Sequence, residues 1–458
     1  MDLLQDLLNR INGFVWGPYL LLPLLLLTGL FLTIRLGGLQ FRVLGHALWL
    51  ALVKRRERSD APGDVSHYQA LATALSATLG VGNIAGVATA IGIGGPGALF
   101  WMWITGLLGM ATKYSEALLA VKFRRTDAAG EQTGGPMEYL RRGVGGRTGR
   151  LLGTAFALFG IIASFGIGNM VQANTAASQL QATWGISPAW SGAVMTLVAG
   201  VVVIGGIKSI ARFSSAIVPP MILLYVLSNL IVLAVFHENI PGALALVFHD
   251  AFTGTAAIGG FAGSGVLLAI QIGVARGIFS NESGMGTGGI AAASAKTRQP
   301  VRQAMVAMTQ TFIDTLIMVT LTALTLIVTG AYAQEGVRGA AMTAWAIGQG
   351  LGENWGSYTV TLAVLVYAFT TIPGWSYNGE RCAESLLGRG AILPYRVLYT
   401  ALVMVGAMTT LDMVWTFSDI ANGLMALPNL IGLILLSGIV VKESRTYFAR
   451  LNWRRVDD

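Results

Sequence analysis

From Trp16 to about Ile34 the chain is an almost unbroken apolar run, the length a helix needs to cross the hydrocarbon of a bilayer. Similar runs cover roughly 67–95, 97–118, 151–180, 188–206, 213–236, 258–292, 302–330, 357–386, 391–411 and 413–440, which predicts about eleven membrane crossings. The first run is too long, and has the wrong flanks, for a cleaved signal peptide. Polar and charged positions concentrate in the short segments between the runs. The pattern is that of an all-α polytopic membrane protein.

Composition agrees. Of 458 residues, 54% are hydrophobic and 11% charged, against about 25% charged in a soluble domain. Disorder, collagen and coiled coil are excluded by the same figures. The single cysteine, Cys382, allows neither an internal disulfide nor a cysteine metal cluster. A net charge of +8 would suit nucleic-acid binding, but the placement of the basic residues assigns them to topology. Arg35, Arg42, Lys54, Arg55, Arg56 and Arg58 follow the first run; Lys122, Arg124, Arg125, Arg141, Arg142, Arg147 and Arg150 follow the third. Lys208 and Arg212, then Lys296, Arg298 and Arg302, then Arg389 and Arg396 fill the later even turns. Lys442, Arg445, Arg450, Arg454 and Arg455 end the chain. The alternate turns hold only Arg10 and Arg338, beside Asp2, Asp6, Glu238, Asp250, Glu335 and Glu353. The positive-inside rule therefore places the N-terminus outside and the C-terminus in the cytoplasm.

Two of the runs are interrupted. The second contains Leu79-Gly80-Val81-Gly82-Asn83-Ile84-Ala85-Gly86, and the seventh contains the glycine-rich segment 273–286. Glycines and amides at membrane depth survive only where backbone lines a site or is buried in protein. The interruptions lie five runs apart, and an odd number of crossings gives two units of opposite orientation. Glycine-broken helices at matching places in two such halves point to a transporter site; the alternative is a packing seam of small residues. The units are expected over 61–240 and 241–440, after an extra helix and loop over 1–60 and before a tail over 441–458. Gly80 to Ala85 also fits the dinucleotide fingerprint GxGxxA, but that motif needs a flanking strand and a βαβ unit. Here the flanks are membrane helix.

The segment Gly94-Gly95-Pro96-Gly97-Ala98-Leu99-Phe100-Trp101-Met102-Trp103-Ile104 resembles the signature of the alanine or glycine:cation symporter family. The similarity continues through GNMVQANT (168–175), GVARGIFSNESGMG (273–286) and TTIPGWSYNGERC (370–382). Val81, Gly106 and Pro373 depart from the usual residues of that family, which has threonine, a larger small residue and an aliphatic residue there. The resemblance implies two inverted five-helix repeats with broken first helices, preceded by one N-terminal helix. It implies sodium as coupling ion, alanine or glycine as substrate, no organic cofactor, and the inner membrane of a prokaryote, with lipid as surroundings.

A zwitterionic substrate needs donors for its carboxylate and acceptors for its ammonium. The half-helix restarting after Gly82-Asn83 offers free N–H groups and a positive dipole end. The stretch Ile278-Phe279-Ser280 is expected to be unwound and to offer carbonyls to the ammonium. The resemblance marks Gln172 as a substrate-binding residue, beside Gly80 and Gly82. Asn83 and Asn174 stand evenly between site and packing roles. Thr370 and Thr371 are the expected sodium ligands, joined, as the resemblance implies, to carbonyls around Thr78 to Val81. Phe279 and Trp375 would wall the pocket and limit its size. Arg276, Glu282, Asp314 and Asp419 are ionisable residues inside the bilayer, each of functional interest by its place. Arg276 is expected to pair with Asp314 or Glu282, as a gate or as a buried strut. Glu380 and Arg381 are expected at an interface, and Glu116 with Lys113 as a local pair at the membrane edge. A proton-coupled transporter of the same architecture, using Asp314 or Glu282 as relay, is the alternative reading. An enzyme is disfavoured: His46, His67, His237 and His249 all lie near loops, with no HExxH and no nucleophile triad at membrane depth. A passive channel fits two inverted broken helices less well than alternating access does.

Overall fold

The computed structural model describes residues 2–54, 61–127, 129–253, 262–409 and 411–454. Arg55, Arg56, Arg58, Arg455 and the start of the seventh run lie outside the described residues. Helix α1 (Asp2–Val15) precedes the first expected crossing, α2 (Leu21–Arg35). Gly37 and Gly38, both with left-handed φ, then turn the chain by 84° into α3 (Leu39–Leu52). The first unit contains α4 (His67–Thr78), α5 (Ala85–Gly94), α6 (Ala98–Lys122), α7 (Gly146–Trp184), α8 (Pro188–Ile204) and α9 (Gly206–Val235). Helix α10 (Ile240–Thr253) leads to the second unit: α11 (Ala262–Asn281), α12 (Thr287–Ala293), α13 (Pro300–Val328), α14 (Gly339–Leu351), α15 (Glu353–Leu387), α16 (Ile392–Met408) and α17 (Leu411–Phe448). Every expected apolar run is helical. Among the described residues six helices are long and apolar enough to cross a membrane alone, and the bent pairs α2/α3 and α4/α5 qualify when taken together. Helices α1, α10 and α14 were not legible as crossings and are not long enough to be.

The basic turns gather at one end of the bundle, here called the basic face. Arg124 donates to the carbonyls of Ala293, Ala295, Thr297 and Pro62, tying three turns together. Arg141 reaches Ser385, Arg396 reaches the Ile204 carbonyl, and Lys122 pairs with Glu443 at 2.7 Å. At the opposite face Trp101 donates to the Ala251 carbonyl and Asn239 to that of Val328. The chain enters its first broken helix from the basic face, at Ser66, and its second from the opposite face. The two units are thus inverted.

Local chemistry explains where the helices stop. Helix α4 starts in a capping box, Ser66 Oγ accepting from Gln69 N and Gln69 Oε1 accepting from Ser66 N. It ends because Leu79 and Gly80 are extended; a short 3-10 turn over Val81–Asn83 then leads into α5 at 57° to α4. The second break is narrower than the sequence suggests. Helix α11 runs unbroken through Ile278-Phe279-Ser280 to Asn281, so the stretch expected to be unwound is helical, and the Ile278 carbonyl accepts from Glu282 N. The reason lies in the glycines. A Cβ at Gly273 would stand 2.6 Å from the Ala98 carbonyl oxygen, and one at Gly277 2.4 Å from Thr105 Oγ1. Those glycines let α11 touch α6; they do not unwind it. The break itself spans Glu282 to Gly286, with left-handed φ at Glu282, Gly284 and Gly286.

Candidate functional site

The two breaks face each other at the centre of the bundle. In the first, Asn83 is the pivot. Its Oδ1 accepts from Gly80 N at 3.1 Å, and its Nδ2 donates to Ser280 Oγ at 2.9 Å and Asp314 Oδ1 at 2.7 Å. Gln172 Oε1 accepts from Val81 N at 3.2 Å while Gln172 Nε2 donates to the Ile167 carbonyl. That carbonyl is within reach because α7 carries a π-helical turn over Gly166–Met170. Thr371 Oγ1 donates to the Leu79 carbonyl at 3.3 Å. A Cβ at Gly80 would lie 2.9 Å from Thr371 Oγ1 and 3.0 Å from Gln172 Oε1, and one at Gly82 3.1 Å from the Phe279 ring. The exposed backbone of the first break is thus gripped by side chains from α7, α11, α13 and α15.

The second break is held by a carboxylate. Glu116 Oε1 accepts from Gly284 N and Gly286 N, each at 3.0 Å, and from Asn429 Nδ2 at 2.8 Å. Asn429 also donates to the Gly284 carbonyl and accepts from the Tyr139 hydroxyl. Lys113 Nζ donates to the Glu282 carbonyl and lies 4.0 Å from Glu116. Both side chains are fully buried, so the expected pair at the membrane edge is corrected: it sits in the interior, because the second break must bury its free N–H groups somewhere. Glu282 accepts from Trp375 Nε1 at 2.7 Å and Thr287 Oγ1 at 2.6 Å.

Asp314 joins the first break to the end of α11. It accepts from Asn83, from Ser280 Oγ at 2.9 and 3.0 Å, and from Thr315 Oγ1 at 2.9 Å. It is fully buried, and no cationic side chain among the described residues lies within ion-pair distance of it. The expected pairing of Arg276 with Asp314 or Glu282 is therefore wrong. Arg276 meets Asp419 instead in a two-pronged pair, at 2.7 and 3.2 Å. Four residues of α11 separate Arg276 from Ser280, just over one turn, so it emerges above the site and not in it. Its guanidinium covers Phe279 and Trp415, whose rings stack at 4.8 Å. This layer closes the site toward the opposite face.

Of the expected sodium ligands, Thr371 alone points its hydroxyl at the first break. Thr370 bonds back to the carbonyls of Val366 and Tyr367 and touches Met221, and the Thr78 hydroxyl bonds back to Ala74. The two adjacent hydroxyls thus take different partners. Asn174 donates to the carbonyls of Gly406 and Thr409 and serves packing. Trp375 lies against Gly168, where any Cβ would sit inside its ring. Beside the second break lies a closed cleft, too narrow for water, where Thr73, Glu282, Thr287, Gln310 and Asn378 meet alanines and glycines. Gln310 is buried with neither amide atom hydrogen-bonded.

Beyond that cleft the end of α15 is clasped. Arg381 pairs with Glu131, Glu380 and Glu384, and Arg396 with Glu380. Residues expected at an interface are buried, because the hairpin of β1 (Arg125–Thr126) and β2 (Gln132–Thr133) covers them. In its turn, Asp127 is bonded by the N–H groups of Ala129 and Glu131 and by Arg389. Burial pushes its carboxyl up, but those N–H groups and the guanidiniums of Arg389 and Arg381 outweigh it and hold the carboxyl below its ordinary value. The stabilisation is present above the ordinary carboxylate range and is lost as pH falls through the lowered value. Asn429 was not singled out by sequence, and Asp419, Ser280 and Glu116 were singled out without the partners they have here.

Comparison with known proteins agrees with this geometry. The chain is 48% identical to an uncharacterized transporter of Haemophilus influenzae, over 99% of this chain and 98% of that one. It is 47% identical to the sodium/alanine symporter AgcS of Methanococcus maripaludis, over 96% and 97% respectively. The crystal structure of MhsT in complex with L-phenylalanine superposes with a TM-score of 0.59 at 13% identity, covering 82% of this chain and 89% of that one. At that identity the likeness shows the fold. Two inverted five-helix units with facing breaks are that shared architecture. The family model described as the sodium:alanine symporter family matches residues 1–456, and the chain is a member of that family.

Proposed function

We propose that the protein imports small neutral amino acids, alanine and glycine, together with sodium, by alternating access around the two facing breaks. The observation that carries this reading is the first break, whose Val81 N–H and Leu79 carbonyl are engaged by Gln172 and Thr371 respectively. A substrate carboxylate takes the place of the Gln172 amide oxygen at the N–H groups of Gly80 to Gly82, where the dipole of α5 begins. Freed of that bond, Gln172 turns its oxygen to the ammonium. Sodium takes the Thr371 hydroxyl and carbonyls between Thr78 and Val81, which suit a hard cation. Phe279 and Trp375 leave room for a methyl group but not for an isobutyl one. Family membership and the printed name of the Methanococcus maripaludis relative support alanine and sodium.

In this reading the basic face is cytoplasmic, the N-terminus lies outside, and the units 61–240 and 241–440 move relative to each other. Arg276, Asp419, Phe279 and Trp415 form the outer gate. Proton coupling is a second reading on one observation: Asp314 is a buried carboxylate with no cationic side chain at ion-pair distance among the described residues, which either a sodium ion or a proton would neutralise.

Two variants test the site in proteoliposomes. Gln172→Ala is expected to weaken alanine binding by roughly 10- to 100-fold, the worth of a hydrogen bond to a charged group, with little loss of melting temperature. Retained affinity with lowered stability would make Gln172 a packing residue. Thr371→Ala is expected to raise the sodium concentration for half-maximal uptake by roughly fivefold, one oxygen ligand being worth about 1 kcal/mol. Alanine affinity falls at low sodium and recovers at saturation, because the two ligands are linked. Thr371→Ser stays near wild type. An unshifted sodium curve for the alanine variant removes Thr371 from the ion site.

A further inference from the structure

Away from the central site, a cleft of about 720 Å³ opens on the basic face, where the elbow between α2 and α3 meets the end of α17. Four arginines line it, Arg35, Arg42, Arg445 and Arg454, and no acidic residue does. All four are exposed, and among the described residues none makes an ion pair. Four like charges converging on one cleft repel one another, so the arrangement calls for an anion. The rest of the wall is largely apolar, including Leu36, Val441 and Phe448.

Position decides which anion. Arg35 is the last residue of α2, a helix the membrane surrounds, and Arg445 lies in the last turn of α17. The 84° elbow sends α3 across the end of the bundle, with Phe41 and Trp49 exposed along it. Aromatic residues so placed mark the water–lipid boundary. Ile34, 70% exposed, forms one rim of the cleft and continues down α2 through exposed Leu30 and Leu27. Spacings of four and three residues put these on one helix face, an apolar track running from the arginines into the hydrocarbon. A soluble anion has no use for such a track; a phospholipid does.

We propose that this cleft binds the headgroup of an anionic phospholipid. Its phosphodiester lies among the four arginines, each suited to two-pronged contact with phosphate oxygens, and one acyl chain lies along Leu27, Leu30 and Ile34. The proposal depends on membrane embedding and not on the identity of the transported solute. Because the cleft joins the extra N-terminal helices to the last helix of the second unit, an occupied site fastens the two.

The test is native mass spectrometry and thermal melting of the full chain in detergent, titrated with phosphatidylglycerol, phosphatidylcholine or sn-glycerol 3-phosphate. Phosphatidylglycerol is expected to bind and to raise the melting temperature, with phosphatidylcholine and the soluble phosphate doing neither. The double variant Arg42→Gln/Arg445→Gln is expected to bind phosphatidylglycerol roughly 20- to 30-fold more weakly, at about 1 kcal/mol per basic residue. Arg454→Gln, outside both helices, provides a second variant should the double one not fold, with a loss of roughly fivefold. Arg147→Gln/Arg150→Gln removes the same charge elsewhere on the basic face and is expected to bind as wild type does. Equal weakening by that control pair, or equal binding of phosphatidylcholine, would overturn the proposal in favour of general surface attraction. Full protection by glycerol phosphate would overturn it in favour of a soluble phosphate ligand.

Discussion

Glu116→Leu is expected to abolish recovery of folded protein from the membrane. One carboxylate oxygen satisfies three donors, two of them backbone N–H groups of the second break. Leucine leaves both N–H groups unpartnered in a fully buried place and takes from Asn429 one of its two acceptors, at about 1–3 kcal/mol each. It also strands the buried Lys113 ammonium, and breaking a buried pair costs about 3–5 kcal/mol. Together these rival the whole stability of a domain, about 5–15 kcal/mol. Glu116→Gln keeps an acceptor oxygen at the same position and is expected to fold with a lower melting temperature. Monodisperse yield on size-exclusion chromatography and a thermal melt check both. A leucine variant purified at wild-type yield and melting within a few degrees of wild type would show that Glu116 does not hold the break.

The second large effect is at Asp314. Asp314→Ala removes the acceptor shared by Asn83 of the first break and Ser280 at the end of α11. Uptake is expected to fall to background while the protein still folds, since Asn83 Nδ2 retains its bond to Ser280 Oγ. Asp314→Asn separates the two coupling readings. It keeps one acceptor oxygen but removes the charge, and so under sodium coupling is expected to raise the sodium requirement by roughly 10- to 100-fold with the shape of the pH profile unchanged. Under proton coupling the same variant transports without pH dependence. Wild-type sodium activation in Asp314→Asn would take Asp314 out of ion coupling.

Much of the fold is written in the spacing of apolar residues, because a lipid surround leaves helix as the form that satisfies every backbone group. Positions of crossings, the odd number between the interruptions and the alternation of basic turns all follow from that one constraint. The first break was legible where backbone chemistry sets it, at Gly80, Gly82 and Asn83, and Gln172, which a family motif marks, bonds to it. It was not legible where a glycine has two uses. Gly80 is glycine because Thr371 and Gln172 press on it, whereas Gly273 and Gly277 are glycine because α6 does. In sequence these look alike. Partner choice among buried charges was equally hidden: Asp419 lies 143 residues from Arg276, and Glu116 lies 168 from Gly284. Adjacency in sequence favoured Lys113 for Glu116, and the structure keeps them near each other, but the stronger bonds go across the bundle. Of Thr370 and Thr371, the hydroxyl of Thr371 meets the first break and that of Thr370 bonds back to its own helix, a difference that the residue pair does not carry in sequence.

The most direct test of sodium-coupled amino-acid import is uptake of radiolabelled alanine into proteoliposomes holding the purified chain, with an imposed inward gradient of sodium, of potassium or of protons. The account requires accumulation above equilibrium with the sodium gradient alone, competition by unlabelled glycine, and competition by leucine at least about fivefold weaker, the cost of overpacking a small pocket. Accumulation driven by the proton gradient in sodium-free medium, or equal competition by leucine, would contradict it.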